Sequence, residues 1–364
     1  MLETPLAPYL LWAKSRTPAA IDLAGSNLLP CSLEDLPGAR EAVDLAAPND
    51  NGFAPLMAAI AGRYGVAAER VATATGCSGA NFLVAAALVG AGDDVLIERP
   101  TYDPLIGACR LIGANVRRFE RRFDNGYRID PASVAAAMTP RTRLIVVTSP
   151  HNPSGVAIDP GTLAELGRVA GRGGAFVLVD EVYLDAANGI AESPLPAAAT
   201  MDGPFISTSS LTKSYGLAGL RSGWAVAPVA VAERLRRTRD VVDNASSGPA
   251  DRLAAHAFAH LPALAARARR LVGANVATMR AFLDAHPRLE VAAAPTSSVT
   301  FPRLRGVADA APFIQRLLDG HGVAVAPGHF FEAPGHFRIS LAGDPTRLQQ
   351  GLAALGLALT GVVP

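Results

Sequence analysis

The spacing of apolar residues along this chain changes period repeatedly, and each change marks an element. Over 55–64 they recur at Leu56, Ile60 and Tyr64, four apart and behind Pro55. That spacing lines one face of a helix with a proline in its first turn. The segments that follow read as strand 71–75, helix 78–89, strand 94–98, helix 104–112, strand 115–119, helix 131–138 and strand 144–148. After them come helix 162–170 and strands 176–180, 205–208 and 223–227. Leu144-Ile145-Val146-Val147 and Phe176-Val177-Leu178-Val179 do not alternate with polar residues. Strands apolar on both faces belong in the middle of a mostly parallel sheet covered by helices. From about residue 249 the pattern shifts to Ala- and Arg-rich helical stretches as far as 285. Short strands at 298–301, 323–326 and 337–341 and a last helix over 346–359 complete it. This predicts a large α/β domain over 49–248. A smaller α+β domain over 249–364 is joined by residues 1–48, which six prolines make an irregular lead-in.

Composition narrows the function classes. Lys+Arg number 33 against 32 Asp+Glu in 364 residues, so no basic field exists for nucleic acid or an anionic membrane. A hydrophobic fraction of 50% rules out wholesale disorder. Cys31, Cys77 and Cys109 are odd in number and lack a CxxC spacing, which excludes a disulfide scaffold or a cysteine zinc site and suits a reducing compartment. The uncharged run 71–92 carries Thr73, Thr75, Gly76, Ser78, Gly79 and Asn81, so it divides into strand, turn and helix and is not a membrane span. No basic stretch followed by an apolar one opens the chain, and a cytoplasmic location is expected. His256 and His260 are four apart without a third ligand, so no metal is expected. Arg234, Arg236, Arg237 and Arg239 read as a solvated helix face.

Four segments place polar residues just beyond an apolar strand, where a parallel sheet presents ligands. Thr75-Gly76-Cys77-Ser78-Gly79 is a small-residue turn whose helix-start N–H groups suit a phosphate, though a tight turn alone explains it as well. Thr148-Ser149-Pro150-His151-Asn152-Pro153 fixes an amide between two prolines. Asp180 ends an apolar strand, with Tyr183 three residues on; a carboxylate placed there needs a cation or donors. Most specific is Ser210-Leu211-Thr212-Lys213 with Arg221 eight residues after the lysine. A working lysine amine has to be desolvated or set near other cations, and Arg221 helps with that.

In their order and spacing these four segments resemble the class I and II aminotransferases of the fold type I enzymes that use pyridoxal 5′-phosphate (PLP). The resemblance runs from about Asn51 to Arg338. It implies a mostly parallel seven-stranded sheet between helices, a smaller α+β domain, and a homodimer with residues of both subunits at each site. Lys213 would carry PLP as an internal aldimine and shuttle the proton. Asp180 would pair with the ring nitrogen, and Asn152 and Tyr183 would bond the ring hydroxyl oxygen. Gly76, Cys77 and Ser78 would cradle the phosphate with Ser210 and Arg221, and Tyr102 would stack on the ring. Arg338, in Phe337-Arg338-Ile339-Ser340-Leu341, would grip the substrate carboxylate with help from Gly25 and Asn152.

Two features depart from the family pattern. Ala47 stands where a tyrosine usually reaches the neighbouring subunit's phosphate, so that contact is either lost or made by Asn49 or Asn51, and Leu23-Ala24-Gly25-Ser26-Asn27 replaces the commoner Gly-x-Pro. Tyr9 and Trp12 are candidates for the side-chain pocket, or for packing against the small domain. The resemblance implies amino transfer from an L-amino acid to a 2-oxo acid. The same residues serve a PLP lyase, decarboxylase or cyclising synthase. A PLP-sensing regulatory module is a third reading, disfavoured because no helix-turn-helix domain leads the chain.

Overall fold

The computed structural model describes residues 7–46, 49, 51–191 and 193–360. Seven strands form its main sheet: β1 Val71–Thr75, β2 Asp94–Arg99, β3 Asn115–Glu120, β4 Thr142–Thr148, β5 Phe176–Asp180, β6 Phe205–Ser210 and β7 Ser222–Val226. Their order across the sheet is β1-β7-β6-β5-β4-β2-β3. All are parallel except β7, which runs antiparallel to both β1 and β6. The central strands are buried on both faces, as their unbroken apolar runs require. One face packs on Ala80, Val84, Leu105 and Leu235. The other packs on Val134, Leu163, Leu166 and Val169. Because the parallel strands end on the same side, Thr148, Asp180 and Ser210 arrive at one edge together.

The remainder of the chain packs around a second core that includes Val272, Met279, Phe313, Phe337 and Leu352. Helices Leu261–Ala285, Ala311–His321 and Pro345–Thr360 cover it. Strand Phe337–Ser340 lies between Val299–Thr300 and Ala326–Pro327 and is buried throughout.

The differences from the sequence reading have physical reasons. The short elements expected within the irregular lead-in are helix Pro8–Ser15 and strand Ile21–Asp22, whose positions the sequence reading did not give, the latter pairing in parallel with Val323–Ala324. Neither is long enough to show a period. The helix expected from residue 78 begins two residues earlier, at Gly76, whose left-handed φ makes the turn out of the strand. The arginine cluster is not uniformly solvated, since Arg239 is buried and donates to Thr73 Oγ1 at 2.7 Å. Among the described residues no helix is long and apolar enough to cross a membrane.

Candidate active site

A cavity of about 510 Å³ opens where β1, β4, β5 and β6 end. Of the residues singled out in the sequence, Gly25, Cys77, Ser78, Tyr102, Asn152, Asp180, Tyr183, Ser210, Lys213 and Arg221 line it. Gly76 lies directly beneath the Arg221 guanidinium. Arg338 is fully buried behind Tyr9 and does not line the cavity. Ala47 falls outside the described residues, while the Asn49 amide donates within the chain to Asp251 at 2.8 Å.

The anion cradle comes from the junction of β1 with helix Gly76–Leu88. Thr75 makes no side-chain cap, so the first N–H groups of the helix lack an internal partner. Gly76 has φ +71°, and a Cβ there would strike Arg221; a Cβ on Gly223 of β7 would overlap the Gly76 carbonyl. Glycine at both positions lets the strand, the turn and the guanidinium close on one another. Arg221 itself is held in the left-handed region at φ 49°.

Lys213 stands at the centre. Its Nζ donates to Ser26 Oγ at 2.8 Å and Asn27 Oδ1 at 2.6 Å. Burial, reinforced by the charges of Arg338 and Arg221 against the opposing pull of Asp180, lowers its pKa to about 7. Asp180 is buried at the end of β5. Its Oδ2 accepts from Asn81 Nδ2 at 2.8 Å, and its Oδ1 accepts from the Val182 N–H at 3.1 Å and the Cys77 thiol at 3.3 Å. Burial raises its pKa while these donors and Lys213 oppose the rise. Burial also pushes the Cys77 thiol well up, so that it stays protonated and can donate. On the far side, Arg338 Nη1 donates to Asn152 Oδ1 at 2.8 Å. The Asn152 N–H in turn donates to Thr148 Oγ1 at 2.9 Å.

A buried ion pair supports the wall behind Asn152. Arg121 Nη1 meets Glu98 Oε2 at 2.8 Å, and Glu98 Oε1 accepts from the Thr148 N–H at 2.7 Å and hydroxyl at 2.6 Å. His151 is fully buried between Pro100 O and Ser154 Oγ, and burial holds its pKa well below the usual value, so it braces the loop as a neutral ring.

A lysine near neutrality between a buried carboxylate and a buried guanidinium, beside an anion cradle, defines the chemistry of this cavity. The family model for aminotransferase class I and II matches residues 39–355. The chain belongs to the class I and II aminotransferase family. Within this family it is 33% identical over 310 residues to a capreomycidine synthase from Streptomyces vinaceus, covering 82% of this chain and 77% of that protein. It is 30% identical over 302 residues to an arginine–pyruvate transaminase from Pseudomonas aeruginosa, covering 80% and 75%. A PLP-dependent aminotransferase from Streptococcus suis superposes over 100% of both chains with a TM-score of 0.93 at 27% identity. A PLP-dependent cyclase superposes with a TM-score of 0.87 at 27% identity, covering 99% and 98%.

The family is PLP-dependent, and the residues present fit that cofactor. The buried Tyr183 hydroxyl has no well-formed hydrogen bond and borders the cavity, and the Ser222 hydroxyl is buried without a partner beside the Gly76 turn. Asn81 escaped the sequence reading. It sits four residues after Cys77, so one face of one helix delivers both donors to Asp180, and its Oδ1 accepts from Thr208 Oγ1 at 2.6 Å. The available signal was an amide in an otherwise apolar helix, one turn beyond the glycine turn. Asn27, which holds Lys213 from nearly two hundred residues away in sequence, left no such signal.

Proposed function

We propose that this chain is a PLP-dependent aminotransferase that moves the amino group of an L-amino acid to a 2-oxo acid. The observation that carries the reading is the cavity that gathers Asp180, Asn152, Tyr183 and Arg221 around the Lys213 amine, which burial brings toward a pKa of about 7. Such an amine both accepts and returns a proton at neutral pH. PLP, when bound, supplies the electron sink that makes the Cα proton of an amino acid labile. Asp180, oriented by Asn81 and Val182, would keep the ring nitrogen protonated. Tyr183 and Asn152 would hold the ring hydroxyl oxygen, and Tyr102 would cover the ring. Gly76, Cys77, Ser78, Ser210 and Arg221 would take the phosphate. Lys213 moves the proton at its Nζ, and Arg338 holds the α-carboxylate, which its planar fork fits. We also propose that 49–248 and 249–364 with 1–48 act as large and small domains, that the enzyme is a homodimer, and that it works in a reducing, cytoplasmic setting.

A cyclising synthase is the second reading. It is favoured by the likeness to a capreomycidine synthase and to a PLP-dependent cyclase. The deciding experiment incubates PLP-loaded protein with a panel of amino acids and no acceptor. Amino transfer converts the cofactor stoichiometrically to pyridoxamine phosphate, and a 2-oxo acid reverses the change. Continued turnover without an acceptor, with the cofactor band preserved, rejects amino transfer in favour of the cyclase or lyase. Borohydride reduction should fix the cofactor on Lys213, and fixation on any other lysine rejects the site.

A further inference from the structure

Arg338, the residue that would grip the carboxylate, meets the cavity only through Tyr9 and Asn152, which bond it and line the cavity. Its Nη2 donates to Tyr9 Oη at 2.6 Å and to Ala24 O at 2.9 Å, while Nη1 donates to Asn152. Nε is buried and has no partner. A carboxylate needs two parallel N–H donors, and the phenol oxygen occupies one of them. Tyr9 lines the cavity and Arg338 does not, so Tyr9 stands between the two. The guanidinium also lies 5.1 Å from the Tyr9 ring centroid and 5.0 Å from that of Phe331. Tyr9 belongs to helix Pro8–Ser15, whose start is pinned where the Tyr9 N–H donates to Asp103 Oδ2 at 2.8 Å. Its ring rests against Tyr102, Phe330 and Phe331, and Trp12 of the same helix packs on Phe330 at 5.4 Å.

We propose that Tyr9 is a plug on the carboxylate subsite, displaced only by a ligand that offers Arg338 a better acceptor than a phenol. The inference rests on the amino-acid reading above and adds a specificity element to it. An α-carboxylate replaces the neutral phenol oxygen with a charged acceptor and moves Tyr9 with its helix. An amine without a carboxylate has nothing to offer Arg338 and leaves the plug in place. The N-terminal helix therefore reads the group that separates α-amino acids from simple amines.

The test titrates PLP-loaded protein with 2-methylalanine, which carries a carboxylate but no Cα proton, and with isopropylamine, the same skeleton without the carboxylate. Occupancy is read from the cofactor's visible band and helix position from Trp12 fluorescence, with Trp12→Phe as the blank. The expected result is a Trp12 change that tracks the band for 2-methylalanine and is absent for isopropylamine at equal occupancy, which also controls for energy transfer to the cofactor. Tyr9→Phe keeps the ring and removes the competing oxygen, so 2-methylalanine should bind it about fivefold more tightly. A silent Trp12, or weaker binding to Tyr9→Phe, overturns the plug while the amino-acid reading stands. A holoenzyme whose band answers to no amino acid overturns both.

Discussion

Arg338 is fully buried and Lys213 is half-buried at the cavity wall, and their neighbours treat them differently. Arg338 is buried among three acceptors: the phenol, a carbonyl and an amide oxygen. Lys213 has only two neutral acceptors, with cations beyond them, and burial lowers its pKa from 10.5 to about 7. The folded-state value is therefore below the unfolded one. Below pH 7 both states are protonated, and the folded state carries the full penalty of a buried ammonium. Between 7 and 10.5 the unfolded chain binds a proton that the folded chain does not, so stability rises with pH. Cofactor-free Lys213→Met should be more stable than the parent by a few kcal/mol at pH 6, with the gap closing as pH climbs toward 10. Urea unfolding at pH 6, 8 and 10 measures it, and a gap that stays constant rejects the assigned cause.

At the scale of elements, the contact between β7 and the β1–helix junction determines whether the anion cradle closes. Gly223→Ala puts a methyl group into the Gly76 carbonyl and within 2.7 Å of the Cys77 nitrogen, where backbone cannot yield cheaply. Overpacking of this kind costs about 1–3 kcal/mol. The displaced N–H groups should also weaken PLP by at least about tenfold, since one charge-assisted hydrogen bond is worth roughly 1.5–3 kcal/mol. Equilibrium dialysis and thermal melts check the two effects, and Gly219→Ala, with open space around its Cβ position, is the control. The same elements show what a sequence can disclose. Strands β4 and β5 were legible because burial on both faces leaves an unbroken apolar run, and Asp180 and Asn152 stood out at the ends of such runs, whereas Lys213 stood out by its spacing from Ser210 and Arg221. The Pro8–Ser15 helix and the Ile21–Val323 pairing were not. They are short, and their stability comes from contacts with residues remote in the chain, which no local period records. Arg239 misled for a related reason. Its helix reads as charged, yet that side chain reaches inward to Thr73.

At the scale of the whole molecule, apolar side chains remain exposed, Val241 and Val242 among them next to the residue that bonds Thr75. Leu45 is 85% and Val241 88% exposed, with Val242 next to it half-exposed. Asp243, immediately after these valines, bonds Thr75 of the cradle, and Asp44, before Leu45, pairs with Arg252. Exposed apolar groups grouped near a site suit burial against another protein surface, here a second copy, in keeping with the proposed dimer. Sedimentation should show a dimer at assay concentration. Leu45→Glu with Val241→Glu should shift it to monomers and lower PLP retention, without loss of helical content. A parent enzyme that is fully active as a monomer rejects the proposal.

One property of the sheet has a bearing on how the molecule is made. Strand β1 has a single neighbour, β7, and β7 is the last of the seven strands in the chain. During synthesis the strand that leads into the anion cradle is the first to emerge and the last to be paired. A nascent chain halted before Ser222 can assemble β6, β5, β4, β2 and β3, yet it leaves β1 loose and the cradle unformed. Retention of PLP then marks a chain synthesised past β7, and a ribosome-bound fragment one strand short should not hold the cofactor.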